Sequence, residues 1–191
     1  MFTKSTYLIK ERVGLLKLVD TYDIYDAETG KQIGIAEEKP GLLITILRLI
    51  VNKRLLPTKV FIAPAPNQPP VLAITRGMSL LRSKVLVKAG TRTLGYFKSK
   101  LFSFGGGFYV FNQSDKQIAE IQGDWKGWNF KFLDGSNKEL GTVTKKWAGR
   151  GKELFTSTDN YVVNVVAGQP QDTTSLLLAA GIAIDTVYKE K

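Results

Sequence analysis

Four times along this chain a basic residue is followed, two places on, by isoleucine or leucine and then by glycine or alanine. The copies are Lys31, Ile33 and Gly34; Arg92, Leu94 and Gly95; Lys116, Ile118 and Ala119; and Lys138, Leu140 and Gly141. Each follows a strand-like arm and a turn, namely YDIYDAETG, KVLVKAG, FYVFNQSD and WNFKFLDGSN, in which Gly, Asn and Asp supply the backbone angles that hairpins need. The irregular spacing of the copies argues against a solenoid and for a run of hairpins. With TYLIKER, TKVFIA, PVLAITR and NYVVNVV as further candidate strands, about a dozen antiparallel strands are expected. Closing them into a barrel would remove every unpaired edge; a two-sheet sandwich is the alternative. A length of 191 residues, 43% of them apolar, suits a single domain over residues 1–191.

Two apolar segments break the strand pattern. The C-terminal one, DTTSLLLAAGIAIDTVYKEK, carries no polar side chain over residues 176–184, and Asp172 or Thr173 offers an N-cap after Pro170. A helix of about 15 residues rises roughly 22 Å, short of a hydrocarbon core of about 30 Å. A helix apolar on every side that does not enter lipid must be enclosed by protein. Ala179, Ala180, Gly181 and Ala183 keep it slim enough for a strand-lined interior. Asp185, near its C-terminus, is opposed by the helix dipole and is expected either in solvent, the favoured reading, or beside a Lys or Arg partner.

The other segment covers residues 41–56, GLLITILRLIVNKRLL, between Pro40 and Pro57, and predicts a second helix. On a helical wheel Thr45, Arg48 and Asn52 form its polar stripe, with Lys53 and Arg54 at the C-terminal end, where cations suit the dipole. Such a helix either packs its apolar arc on the barrel wall with the stripe to solvent, or lays Leu and Ile into a leaflet while its basic end meets headgroups.

Charge is unevenly placed. The chain carries a net charge of +10, yet no acidic residue stands between Glu38 and Asp115, a stretch that contains Arg48, Lys53, Arg54, Lys59, Arg76, Arg82, Lys84, Lys88, Arg92, Lys98 and Lys100. Polyanions are the natural partners of such a segment, phospholipid headgroups first and nucleic acid second. There is no cysteine and no histidine, which removes thiol nucleophiles, disulfides, the usual zinc ligands and the commonest general base. Among other candidates, FGGGF at residues 104–108 lacks the lysine and hydroxyl of a phosphate loop and reads as a turn. Asp20, Asp23 and Asp26 read as exposed strand and turn-capping residues, and Trp128, Phe130 and Phe132 as one core-facing row. No catalytic residue, metal site or cofactor is expected. The N-terminus alternates charge with short apolar pieces, which predicts no cleavable leader and a cytosolic chain.

The order GTVTKKWAGRGKELFTSTDNYVVNV, a short linker and LLLAAGIAIDTVY resembles the C-terminal half of the phospholipid scramblase and tubby-like superfamily. YDIYDAETGKQIG, VLAITRG with SLLRSKVLVKAGTRTLG, and FYVFNQSDKQIAEIQGDW fall in that family's order. The resemblance implies a twelve-stranded closed antiparallel barrel around the buried C-terminal helix, and membrane lipid as partner. It departs in two respects: there is no cysteine cluster for acylation, and the segment matching the family's proposed calcium loop, residues 157–168, has Ser157 first and Gly168 last and reads as a strand.

The expected function is therefore non-enzymatic, reversible binding of acidic phospholipid, phosphoinositide among the candidates, at the inner surface of a membrane. The expected lipid-binding residues are Arg48, Lys53, Arg54, Arg82 and Lys84. The alternatives are a nucleic-acid-binding or protein-interaction module, and phospholipid scrambling, which would require the last helix to span.

Overall fold

The computed structural model describes residues 2–12, 19–78, 83–100, 106–124, 126–145 and 160–188, with the side chains of Arg54 and Tyr188 outside that set. Twelve strands form one closed antiparallel barrel in sequence order: β1 (Thr6–Glu11), β2 (Thr21–Asp26), β3 (Gln32–Glu38), β4 (Thr58–Ala63), β5 (Leu72–Arg76), β6 (Lys84–Ala89), β7 (Arg92–Ser99), β8 (Gly107–Asn112), β9 (Gln117–Asp124), β10 (Asn129–Asp134), β11 (Glu139–Thr144) and β12 (Asn160–Val165). The seam is β1 against β12, with Thr6 opposite Asn164 and Lys10 opposite Asn160.

The recurring motif encodes a bulge in each of four hairpins. Ile24 pairs with Gly34 and Tyr25 with Gln32, so Ile33 is passed over. In the same way Leu94, Ile118 and Leu140 are passed over between β6 and β7, β8 and β9, and β10 and β11. An extra residue in one strand breaks the two-residue alternation, so two successive side chains can turn inward. The Ile or Leu of each motif packs against the core. The next residue must then be small. A Cβ on Gly95 would stand 2.2 Å from the carbonyl oxygen of Phe111 on the neighbouring strand. Gly95→Ala is expected to cost about 3 kcal/mol by overpacking, whereas Gly135→Ala, with nothing within 4 Å, should shift stability by about 0.5 kcal/mol at most. Denaturant titration of the two variants checks this.

Inside the barrel runs the expected C-terminal helix, 18 residues from Gln171 to Tyr188, which we label α2 because a shorter helix, α1 (Leu42–Leu47), precedes it. Leu178, Ala179, Ala180, Ile182 and Ile184 have no exposed surface, and they belong to the same continuous core as Val85, Phe97, Phe108, Phe130 and Phe132. Its first turn is held by a forked ion pair from Arg92 to Asp172 at 2.6 and 2.8 Å, and the Pro170 carbonyl accepts from the Thr174 N–H. Contrary to the expectation of solvent, Asp185 is only 3% exposed, and the Tyr22 hydroxyl donates to its Oδ2 at 2.5 Å. Burial, and then the facing Asp185 carboxylate, push the Tyr22 pKa well above its ordinary value, so the phenol remains the donor.

The two barrel ends differ. Tight turns join β2 to β3, β6 to β7, β8 to β9 and β10 to β11 at the end where α2 begins. At the opposite end, beside Tyr22 and Asp185, lie the longer connections, among them residues 39–57 between β3 and β4.

Candidate functional site: an inverted helix beside a basic wall

The expected helix over residues 41–56 is broken in two. α1 spans Leu42–Leu47, a 3-10 turn spans Lys53–Leu55, and the chain between them bends away. No acid stands in the first turn of α1, and its end at Arg48 is closed by the Arg48 N–H bonding to the Ile44 carbonyl at 3.1 Å.

What faces inward here is charge. The Arg48 guanidinium forks onto Glu38, Nη1 to Oε2 at 2.9 Å and Nη2 to Oε1 at 2.5 Å, and both side chains are almost wholly shielded from solvent, at 1% and 0% exposure. Lys53 bridges the same Glu38 at 3.2 Å and also pairs with Asp20, whose backbone N–H bonds Glu38 Oε2 at 3.2 Å. Burial alone would raise the Glu38 pKa, but the hydrogen bonds from Arg48 and the charges of Lys53 and Arg48 outweigh it and hold the carboxyl below the usual glutamate range. A second buried cation, Arg76 at the end of β5, reaches back under the connection and donates to the Leu56 carbonyl at 3.1 Å and the Thr58 hydroxyl at 3.0 Å. The residues 39–57 connection is thus clamped from below at both of its halves.

What faces outward is aliphatic. Leu42, Leu43, Ile46, Leu49 and Ile50 are 50–81% exposed. The wheel had placed Arg48 on the solvent side of this segment; the structure turns it the other way, because Glu38 at the end of β3 supplies a buried partner that an apolar arc could not neutralise. Val19, Leu55 and Met78 are exposed at the same barrel end, so among the described residues only Val166 of the large exposed hydrophobics lies at the other.

The strands that follow α1 present a wall of cations. Outward positions on β4 to β7 carry Lys59, Lys84, Lys88 and Lys98, and among the described residues none of the four has a carboxylate partner. Their rows are set by register: Lys59 opposite Thr75, Thr75 opposite Leu86, Leu86 opposite Tyr96, and Lys84 opposite Lys98. Lys84 lies 3.9 Å from the centre of the Tyr96 ring, which stacks on Phe111 at 4.8 Å, and Lys59 lies 5.0 Å from that of Phe61.

Of the five residues expected at a lipid site, Lys84 is therefore exposed on the wall, while Arg48 and Lys53 are engaged in the clamp. Arg82 and the Arg54 side chain lie outside the described residues. Lys59, Lys88 and Lys98 stand outside the expected set, although the alternation in KVLVK puts Lys84 and Lys88 on one face. The three aspartates near β2 serve structure: Arg12 forks onto Asp23, and Asp26 accepts from the Glu28 N–H and the Thr29 hydroxyl of the turn. All three are buried where exposed strand positions had been expected, while the expected turn capping is what Asp26 does. Phe130 and Phe132 are fully buried, and Trp128 packs edge-on to Phe130 from the preceding turn. Of residues 157–168, the stretch that matches the family's calcium loop, 157–159 lie outside the described residues, 160–165 are β12, an extended strand paired on both sides, and 166–168 follow it into a turn.

A closed twelve-strand barrel filled by its own C-terminal helix defines the architectural class. The chain belongs to the scramblase family, whose model matches residues 20–191. No curated protein and no solved structure matches it. No helix among the described residues is long and apolar enough to cross a membrane.

Proposed function

We propose that this protein binds acidic phospholipid reversibly at a membrane surface, on the cytosolic side, without catalysing a reaction. The observation that carries the reading is the inverted α1 segment, with its arginine buried and five aliphatic side chains in solvent. In water this arrangement is the wrong way round; against a leaflet it becomes favourable, since burying a Leu or Ile contributes about 1.5–3 kcal/mol. The lysine wall beside it supplies the complementary charge, at about 1 kcal/mol per lysine near an anionic surface. Lys84 is assigned to headgroup contact, and Arg48 and Lys53 to holding α1 in its outward pose. Arg54 and Arg82 are assigned to headgroups from their sequence positions alone. A family membership that points to lipid supports the reading. The scrambling alternative loses the segment it needs, because α2 is enclosed by the barrel.

Vesicle flotation tests this. Anionic vesicles should retain the protein at low salt and release it as salt rises. Replacing Leu43 and Ile50 together with serine should weaken retention about 100-fold, the loss of about 3 kcal/mol of burial. Equal retention by neutral vesicles, or tighter binding to duplex DNA with a steep salt dependence, would count against the proposal.

A further inference from the structure

We infer that the lysine wall responds to the total charge of a leaflet made of singly charged phospholipids, and does not recognise one polyphosphorylated headgroup. This rests on the lipid reading above and narrows its ligand class.

A polyphosphate headgroup is held by several cations converging on one point, commonly from the lip of a concave site. The wall has the opposite form. Lys59, Lys84, Lys88 and Lys98 project from the outer face of a closed barrel, which is convex, so long side chains on neighbouring strands diverge. Lys84 and Lys88 are two outward positions apart on β6, which separates their backbones by about 13 Å. Leu86 stands between them. Only Lys84 and Lys98 sit directly opposite one another, on strands about 5 Å apart, a spacing that brackets a single phosphodiester. Two of the ammonium groups also rest over separate rings, Lys84 over Tyr96 and Lys59 over Phe61. Half-buried aromatics interleaved with lysines suit the headgroup layer, where a ring enters the interface and the ammonium stays with phosphate. A cleft of about 360 Å³ lies at the tight-turn end, away from the wall, lined by Thr3, Lys4, Glu28 and Gln171 among others, and Lys4 there is paired with Asp26.

The experiment compares phosphatidylcholine vesicles containing phosphatidylserine with others containing phosphatidylinositol bisphosphate at matched total charge. Retention of the full chain should agree within about threefold, and free inositol polyphosphate should not release it at concentrations that leave the surface potential unchanged. The triple variant Lys59→Ala, Lys84→Ala, Lys98→Ala should bind both vesicle types about 100-fold more weakly. Lys131→Ala with Lys138→Ala, on β10 and the turn before β11, should bind as the parent does. Melting temperatures of both variants establish that they are folded. A preference of tenfold or more for the bisphosphate at matched charge, or release by the free polyphosphate, overturns the inference while leaving lipid binding intact. Failure to bind any anionic vesicle overturns both.

Discussion

Arg48→Ala is expected to destabilise the protein by about 3–5 kcal/mol, because it leaves Glu38 charged, buried and short of its principal partner. Lys53 alone cannot replace it, being divided between Glu38 and Asp20. The double variant Arg48→Met, Glu38→Gln should recover most of the loss, since it removes both buried charges together. The pH dependence follows from the direction of the Glu38 shift. Its folded pKa lies below the unfolded value of about 4.3, so the stabilisation is complete above that value and disappears as pH falls through the lower, folded one. Denaturant midpoints measured from neutral pH down to that range should fall in the parent, and fall less in the double variant. An equal fall in both would mean that the clamp contributes nothing to acid stability.

The second large effect separates the two apolar segments. Leu178→Ala, in the middle of α2, should cost about 2–5 kcal/mol, as truncation of a fully enclosed leucine leaves a cavity lined by strands that cannot collapse onto it. At temperatures where it remains folded, its binding to anionic vesicles should equal that of the parent. The Leu43→Ser, Ile50→Ser variant should behave in the reverse manner, with an unchanged denaturant midpoint and lost binding, because both side chains are at least 70% exposed before they are replaced. If the α1 variant also lost stability, its aliphatic side chains would be serving the fold and not a partner.

These expectations show which parts of the molecule could be read from the chain and which could not. The hairpins were legible because turn residues and period-two alternation are local. The enclosure of α2 was legible because an all-round apolar helix too short to span leaves few alternatives. The bulges were written in the motif, as an Ile or Leu next to a Gly or Ala where alternation calls for a polar residue, but the pairing that passes over one residue appears only with both strands in place. The orientation of α1 was hidden for a different reason. A helical wheel assumes that apolar faces point inward, and what reverses this is a carboxylate ten residues earlier, on another element. The burial of Asp185 was equally out of reach, its tyrosine partner lying 163 residues away along the chain. Arg76 read as one more surface cation, and only the path of residues 53–58 over it gives its guanidinium carbonyl and hydroxyl partners.

The seam between β1 and β12 has a consequence for how the protein is made. Residues 6–10 emerge from the ribosome first among the strands, and their partners at 160–164 emerge last. At roughly 5–20 residues per second, β1 waits about 8–30 s for the strand it pairs with. The helix that fills the interior comes later still. Until then the inward faces of eleven strands have neither a seam nor a filling, and the nascent chain leaves them uncovered until β12 and α2 have been made. Closure of the barrel therefore waits for residues 160–188, and its yield in a cell depends on what shields those faces during synthesis.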